Sequence, residues 1–224
     1  MGDANDEAER AKILSRYKIM DTAPEEVFDQ IVRDAAFLTG APISTISMID
    51  DTRQWFKAKV GLDHDGDPID QSICAIAVRQ GNAFIVEDAS LDERFRDLRA
   101  VNRGDIRFYA GIPLKVRDGT RIGTLCVIDS KARTGLQPDE HVSLEALARR
   151  AVAALEIRRD LQEAQHGRPL SDGVWIEHAR SLLDQAAAAL SQVGATAALA
   201  QLETVIDVVG EISDECSTRD RHGS

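Results

Sequence analysis

Three cysteines and a scatter of carboxylates, histidines and aromatics are the residues of this chain able to do chemistry. Cys74 and Cys126 sit in apolar surroundings, Cys216 near the end. An odd number of thiols at wide spacing indicates neither a disulfide framework nor a Cys-x-x-Cys zinc site. A reactive cysteine needs an electropositive, accessible setting. Neither Cys74 nor Cys126 has a Lys or His beside it in sequence, so both read first as buried structural thiols. Asp63-His64-Asp65-Gly66-Asp67 looks like a calcium loop, but starting from Asp63 the sixth and twelfth positions hold Pro68 and Cys74, not the Gly and Glu that such a loop requires. It reads as a solvated acidic turn, and no metal site is expected. Trp55 and Lys57 fall on one side of a strand and suit an anionic ligand or plain cross-strand packing. His178, in WIEHARSLLDQ, is the one helical histidine placed like a phosphoacceptor, without the acid after it or the later Pro-Leu of histidine kinases.

These residues need elements to hold them. The stretch IRFYAGIPLKVRDGTRIGTLCVID, 106–129, contains two strands, Phe108–Val116 and Arg121–Ile128, around Asp118-Gly119. That dipeptide tolerates positive φ and predicts a two-residue hairpin in which Arg117 opposes Thr120. Ile112 then faces Leu125, Gly111 faces Cys126 and Tyr109 faces Ile128. One side carries Phe108, Ala110, Ile112, Leu114, Val116, Leu125 and Val127, a surface for helices. The other carries Tyr109, Gly111, Pro113, Ile122, Thr124, Cys126 and Ile128, with a gap above Cys126 where Gly111 has no side chain. An apolar surface with a gap and a few polar groups suits a small-molecule pocket as well as it suits sheet packing.

Elsewhere, residues 4–18 read as a helix. A second helix is capped by Asp21 or Thr22, carries Val27, Phe28, Ile31, Ala35 and Leu38 at helical spacing, and stops at Gly40. Ile43–Ile49 and Gln54–Val60 form a hairpin, 61–71 a loop, 72–80 a short buried helix with Asp70 placed to cap it, and 83–86 a short strand. A long helix runs from Gln137 toward Gln165. The division is an N-terminal helix (1–19), an α+β sheet domain (20–165), a linker (166–173), a helical hairpin (174–214) and a disordered tail (215–224). Leu144, Leu147, Ala151 and Leu155 on the long helix, and Leu199, Leu202, Ile206 and Val209 on the last, form apolar seams. They predict a homodimer through the end helices.

The 224 residues carry a formal net charge of -11, with 43% hydrophobic and 29% charged residues. An acidic surface repels phosphate backbones and anionic lipid, which argues against nucleic-acid and membrane partners. No apolar run reaches the ~18 residues of a membrane helix. The acidic N-terminus resembles no signal peptide, and Asp6 breaks a myristoylation signal. A cytoplasmic protein is expected.

The segments ILSRYKIMDTAPEEVFDQI (13–31), ISMIDDTRQWFKAKVGL (46–62), PIDQSICAIA (68–77), DERF (92–95) and the 106–129 stretch together resemble the GAF domain in its common bacterial sensory form. The resemblance implies a central antiparallel sheet of five or six strands, helices from both chain ends on one face and a ligand pocket on the other. It implies a sensor for a small molecule of unknown identity, and the candidate pocket residues are Trp55, Lys57, Cys74, Ile76, Tyr109, Gly111, Thr124 and Cys126. A non-enzymatic protein signalling to a kinase or response regulator is the expected role. Where the family usually reads Ser-Phe-Cys-Ala-His-Ala, this chain reads Ser72-Ile73-Cys74-Ala75-Ile76-Ala77, so a polar pocket group is replaced by Ile76. A closed-pocket dimerisation scaffold and a redox enzyme akin to the free methionine sulfoxide reductases are the alternatives; the cysteine arrangement of those enzymes is not recognisable here.

Overall fold

In a computed structural model, residues 2–165 and Leu183 are described. The element order is α1 (Gly2–Tyr17), α2 (Glu26–Thr39), β1 (Ile43–Ile49), β2 (Arg53–Val60), β3 (Gly66–Pro68), a single 3-10 turn (Ile69–Gln71), α3 (Ile73–Ala77), β4 (Phe84–Val86), α4 (Arg99–Asn102), β5 (Phe108–Lys115), β6 (Arg121–Asp129) and α5 (Pro138–Gln165). The six strands make one sheet in the order β3-β2-β1-β6-β5-β4, every neighbouring pair antiparallel. The expected α+β sheet fold is present. β3 lies within the segment expected as loop, because three residues that include Gly and Pro are too few to show a strand period.

Alternation along β5 and β6 builds two cores. Phe108, Ala110, Ile112, Leu114, Val116, Leu125 and Val127 face the helices, where Ile13, Leu14 and Tyr17 of α1, Phe28 and Ile31 of α2, and Leu144 and Ala151 of α5 cover them. Burying each such large apolar side chain contributes roughly 1.5–3 kcal/mol. On the opposite face Tyr109, Cys126 and Ile128 pack under α3 and the 87–107 segment with Ile73, Val78, Phe95 and Val101.

The hairpin register is the expected one at Tyr109–Ile128, Gly111–Cys126 and Ile112–Leu125, but it shifts between Leu114 and Lys115, which opposes Arg121. The turn is one residue longer than predicted. Gly119 N–H donates to Val116 O, Val116 N–H donates to Thr120 O, and Gly119 has φ +91°, the three-residue form in which glycine takes the left-handed position and a bulge follows. The shift reverses the alternation at the start of β6: Arg121 reaches the α3 side, where Nε donates to Val78 O at 3.0 Å. Ile122 therefore joins the helix-side core rather than the pocket side.

Helix ends also differ from expectation. α2 begins at Glu26, and neither Asp21 nor Thr22 caps it. The Thr22 hydroxyl donates to Ile19 O and accepts from Lys57 Nζ, and Asp21 pairs with Arg53 at 2.6 Å. Both groups are drawn away by tertiary partners. At the other end Gly40, at φ +58°, closes the helix as read from sequence. α3 is capped by Ser72, not Asp70: the hydroxyl accepts from Ala75 N–H at 3.0 Å.

The seam residues of α5 require a correction. Leu144, Leu147, Ala151 and Leu155 are all buried in the helix-side core. An amphipathic stripe has the same period whether its partner is another chain or its own sheet, and here it is the sheet. Leu199, Leu202, Ile206, Val209, the 174–214 hairpin and His178 lie outside the described residues.

Candidate functional site

The face of the sheet away from α1, α2 and α5 holds a cavity of about 920 Å³, a size suited to a small-molecule ligand. Its floor is Ile43 and Thr45 of β1, Phe56 of β2, Tyr109 of β5 and Ile128 of β6. Ile73 and Cys74 of α3 form one wall, and Arg99, Arg103 and Ile106 in and after α4 form another. The turn 61–68 closes the β2 side, where His64 stands edge-on to Phe56 with ring centroids 5.6 Å apart.

The acidic turn is organised by protein groups. Lys59 Nζ lies 2.8 Å from Asp65 Oδ1, and Gln54 Nε2 donates to Asp67 Oδ2 at 2.7 Å. Across the mouth, Arg99 donates from its backbone N–H and Nε to Gln71 Oε1 at 3.1 and 3.3 Å. Arg103 pairs with Asp105 at 2.8 Å. The cavity thus combines an apolar floor with amide and guanidinium groups at its rim.

Under the α3 wall lies a buried polar cluster. Tyr109 Oη donates to Cys74 Sγ at 3.2 Å, and Cys74 Sγ donates to Ser47 Oγ at 3.6 Å. Thr45 Oγ1 stands 2.8 Å from Ser47 Oγ and 3.1 Å from Cys126 Sγ, and the two sulfurs are 3.8 Å apart. The hydrogen bond from Cys126, opposed by burial and reinforced by the hydroxyls of Thr124 and Tyr109, draws the Cys74 thiol below its ordinary value. That same bond, then burial, then the negative charge on Cys74, push the Cys126 thiol well up. Burial and the two sulfurs hold the Tyr109 phenol protonated, as a donor.

Of the eight residues expected at a pocket, Cys74 and Tyr109 line this cavity. Cys126 and Thr124 are fully buried; Cys126 meets Cys74 as part of the sulfur and hydroxyl cluster. Gly111 leaves no gap. A Cβ built there would fall 2.4 Å from Tyr109 Oη, so the tyrosine ring already fills the space that the missing side chain opened.

Trp55 and Lys57 are on the wrong face. Trp55 belongs to the helix-side core. Lys57 Nζ donates to Glu25 Oε1 at 2.6 Å, Ala23 O at 2.7 Å and Thr22 Oγ1 at 3.0 Å. It is Phe56, between them in sequence, that faces the cavity. Ile76 lines a separate hollow of about 300 Å³ with Asp70, Arg79 and Phe95.

Phe56, Thr45, Ser47, Gln71 and Arg99 were missed. Thr45 and Ser47 had a signal: at alternate positions of one strand, their hydroxyls share one face. Arg99 had none, since its place at the rim depends on how the 87–107 segment folds back.

The GAF domain model matches residues 23–155, more than half of the chain, and the chain belongs to the GAF domain family. It is 36% identical over 208 residues to a cyclic di-GMP phosphodiesterase of Pseudomonas aeruginosa, covering 92% of this chain and 35% of that protein. Among solved structures it resembles the GAF domain of a phosphoenolpyruvate-protein phosphotransferase from Acinetobacter. There the identity is 15% and the TM-score 0.51, over 73% of this chain and 99% of that one. It also resembles a free methionine-R-sulfoxide reductase from Neisseria meningitidis, at 15% identity and a TM-score of 0.50, over 72% and 96%. At such identities the two structures speak for the fold alone. The P. aeruginosa relative overturns one expectation: a protein matching nearly the whole chain carries an enzyme's name, so the reading of a non-enzymatic protein is withdrawn. The chain spans about a third of that relative's length. Among the described residues, no helix is long and apolar enough to cross a membrane.

Proposed function

We propose that this chain is the sensory GAF module of a signalling system whose output is the turnover of cyclic di-GMP, and that a small molecule bound in the cavity below α3 and α4 is the input. The cavity itself carries the reading: about 920 Å³ with an apolar floor and a polar rim, on the face of the sheet left open by α1, α2 and α5. The name of the P. aeruginosa relative supports the output. A ligand with a flat apolar portion over Phe56 and Ile128, and polar ends toward Gln71 and Arg99, fits the lining. Binding acts on output only to the extent that it favours one arrangement of the protein over another. A homodimer is part of the same proposal, and Phe37, 85% exposed on α2, supports it as an apolar side chain in need of cover.

Native mass spectrometry of the freshly purified chain tests this. The expected result is a retained small mass that is lost in Ala100→Trp, where the indole fills the cavity, with stoichiometry read from the same spectrum. If no mass is retained, and neither cyclic di-GMP nor a panel of nucleotides and amino-acid derivatives raises the melting temperature of the parent, the sensor reading fails.

A further inference from the structure

We propose that Cys74 and Cys126 form a peroxide-responsive dithiol, with Cys74 the thiol that a small hydroperoxide attacks and Cys126 the thiol that resolves it into a disulfide. The two residues are 52 positions apart in sequence, one on a five-residue helix and one on a central strand, yet their sulfurs are 3.8 Å apart. Both are free thiols.

Their roles follow from position. Both thiols are buried, but Cys74, 3% exposed, borders the cavity, which is wide enough to admit hydrogen peroxide or an alkyl hydroperoxide, whereas Cys126, at 0%, lies behind it and does not line it. The Tyr109 phenol donates to Cys74 and Thr45 contacts Cys126, so hydroxyl groups serve the cluster where sequence shows no cationic neighbour. The low position of the Cys74 thiol relative to Cys126 agrees with that order.

The chemistry balances with the peroxide as the sole oxidant. The Cys74 thiolate attacks the terminal peroxide oxygen. The O–O bond breaks and the alcohol, or water, departs with the proton, leaving Cys74 as a sulfenic acid. The Cys126 sulfur then attacks the Cys74 sulfur; the S–O bond breaks and hydroxide leaves with the Cys126 proton as water. Two thiols lose two electrons to one peroxide.

Forming the bond requires the sulfurs to close to about 2.05 Å. β6 is hydrogen-bonded on both sides, to β1 and to β5, so the short helix α3 is the part that yields. Oxidation therefore draws the Ile73–Cys74 wall toward the sheet and reshapes the cavity.

The test uses the full chain carrying Cys216→Ala, reduced and then exposed to a small excess of hydrogen peroxide. We expect an intact mass lower by two hydrogens, loss of both alkylatable thiols, and a non-reduced peptide joining Cys74 to Cys126. With Cys126→Ala added, dimedone should label Cys74; with Cys74→Ala added, Cys126 should stay unlabelled. If both thiols of the folded parent remain alkylatable after peroxide, the proposal is overturned, whether or not the variants fold. It is overturned equally if dimedone labels Cys126 in the Cys74→Ala protein.

Discussion

Gly111→Ala destabilises the parent protein by about 1–3 kcal/mol, the range for forcing extra volume into a packed core, and costs far less once Tyr109 is alanine. The added methyl would fall 2.4 Å from Tyr109 Oη, 2.8 Å from Cζ and 2.9 Å from Cε1. The ring has little freedom to retreat, being fully buried, edge-on to Phe84 at 6.3 Å between centroids and bonded to Cys74. Tyr109→Ala alone should cost about 3–5 kcal/mol, as for other buried aromatic truncations. The double variant should fall short of the sum by about 0.5–3 kcal/mol, the coupling expected of residues in contact. Urea unfolding of the four proteins measures the cycle. Additive costs would show that the ring does not occupy the glycine's space. Tyr109→Phe, which keeps the ring and removes one hydrogen bond, should cost only about 0.5–1.5 kcal/mol.

Lys57→Ala lowers stability by about 3–5 kcal/mol, the cost of breaking a buried pair, and its melting temperature by roughly 10 °C for a protein of this size. The side chain is wholly buried, with its ammonium on Glu25, Ala23 O and Thr22, and 5.3 Å from the centre of the Phe28 ring. Glu25 keeps Arg158 at 2.9 Å, which places the loss toward the lower end. Lys57→Met retains the apolar stem and should cost less.

Acid provides an independent readout. Burial pushes the Glu25 carboxyl up, but the hydrogen bonds and charges of Lys57 and Arg158 outweigh it and hold the carboxyl below its ordinary value of 4.5. A depressed carboxyl contributes stability above its unfolded value and loses it as pH falls through the folded one. The parent should therefore lose melting temperature progressively below about pH 5. Lys57→Met should lose less over the same interval, because its Glu25 carboxyl moves back toward the unfolded value. Parallel curves for the two proteins would show that Lys57 does not hold the carboxyl down. The same variant separates this reading from a ligand contact: any mass retained by the parent should stay bound in folded Lys57→Met.

Sequence alone determined the family, the order of the long elements and much of the β5–β6 pairing. Asp118-Gly119 marked the turn, and period-two alternation then sorted Phe108, Ala110 and Ile112 from Tyr109 and Cys126. α2 was legible for a similar reason, its apolar residues at helical spacing ending at a glycine that takes positive φ at Gly40. These are properties of backbone geometry over a few neighbouring residues, and a single chain displays them directly.

Tertiary structure decided the site. A register shift between Ile46 and Ser47 in the β1–β2 pair accompanies the placing of Trp55 and Ala58 in the helix-side core and of Phe56 in the cavity. No local pattern announces a bulge whose cause lies across the sheet. Whether Gly111 opens a gap depended on the rotamer of Tyr109, and the use of the α5 stripe depended on which surface reached it first. The meeting of Cys74 with Cys126 depended on α3 settling over β6. Periodicity says which side of an element is apolar; only packing, which joins residues far apart in the chain, says what that side touches.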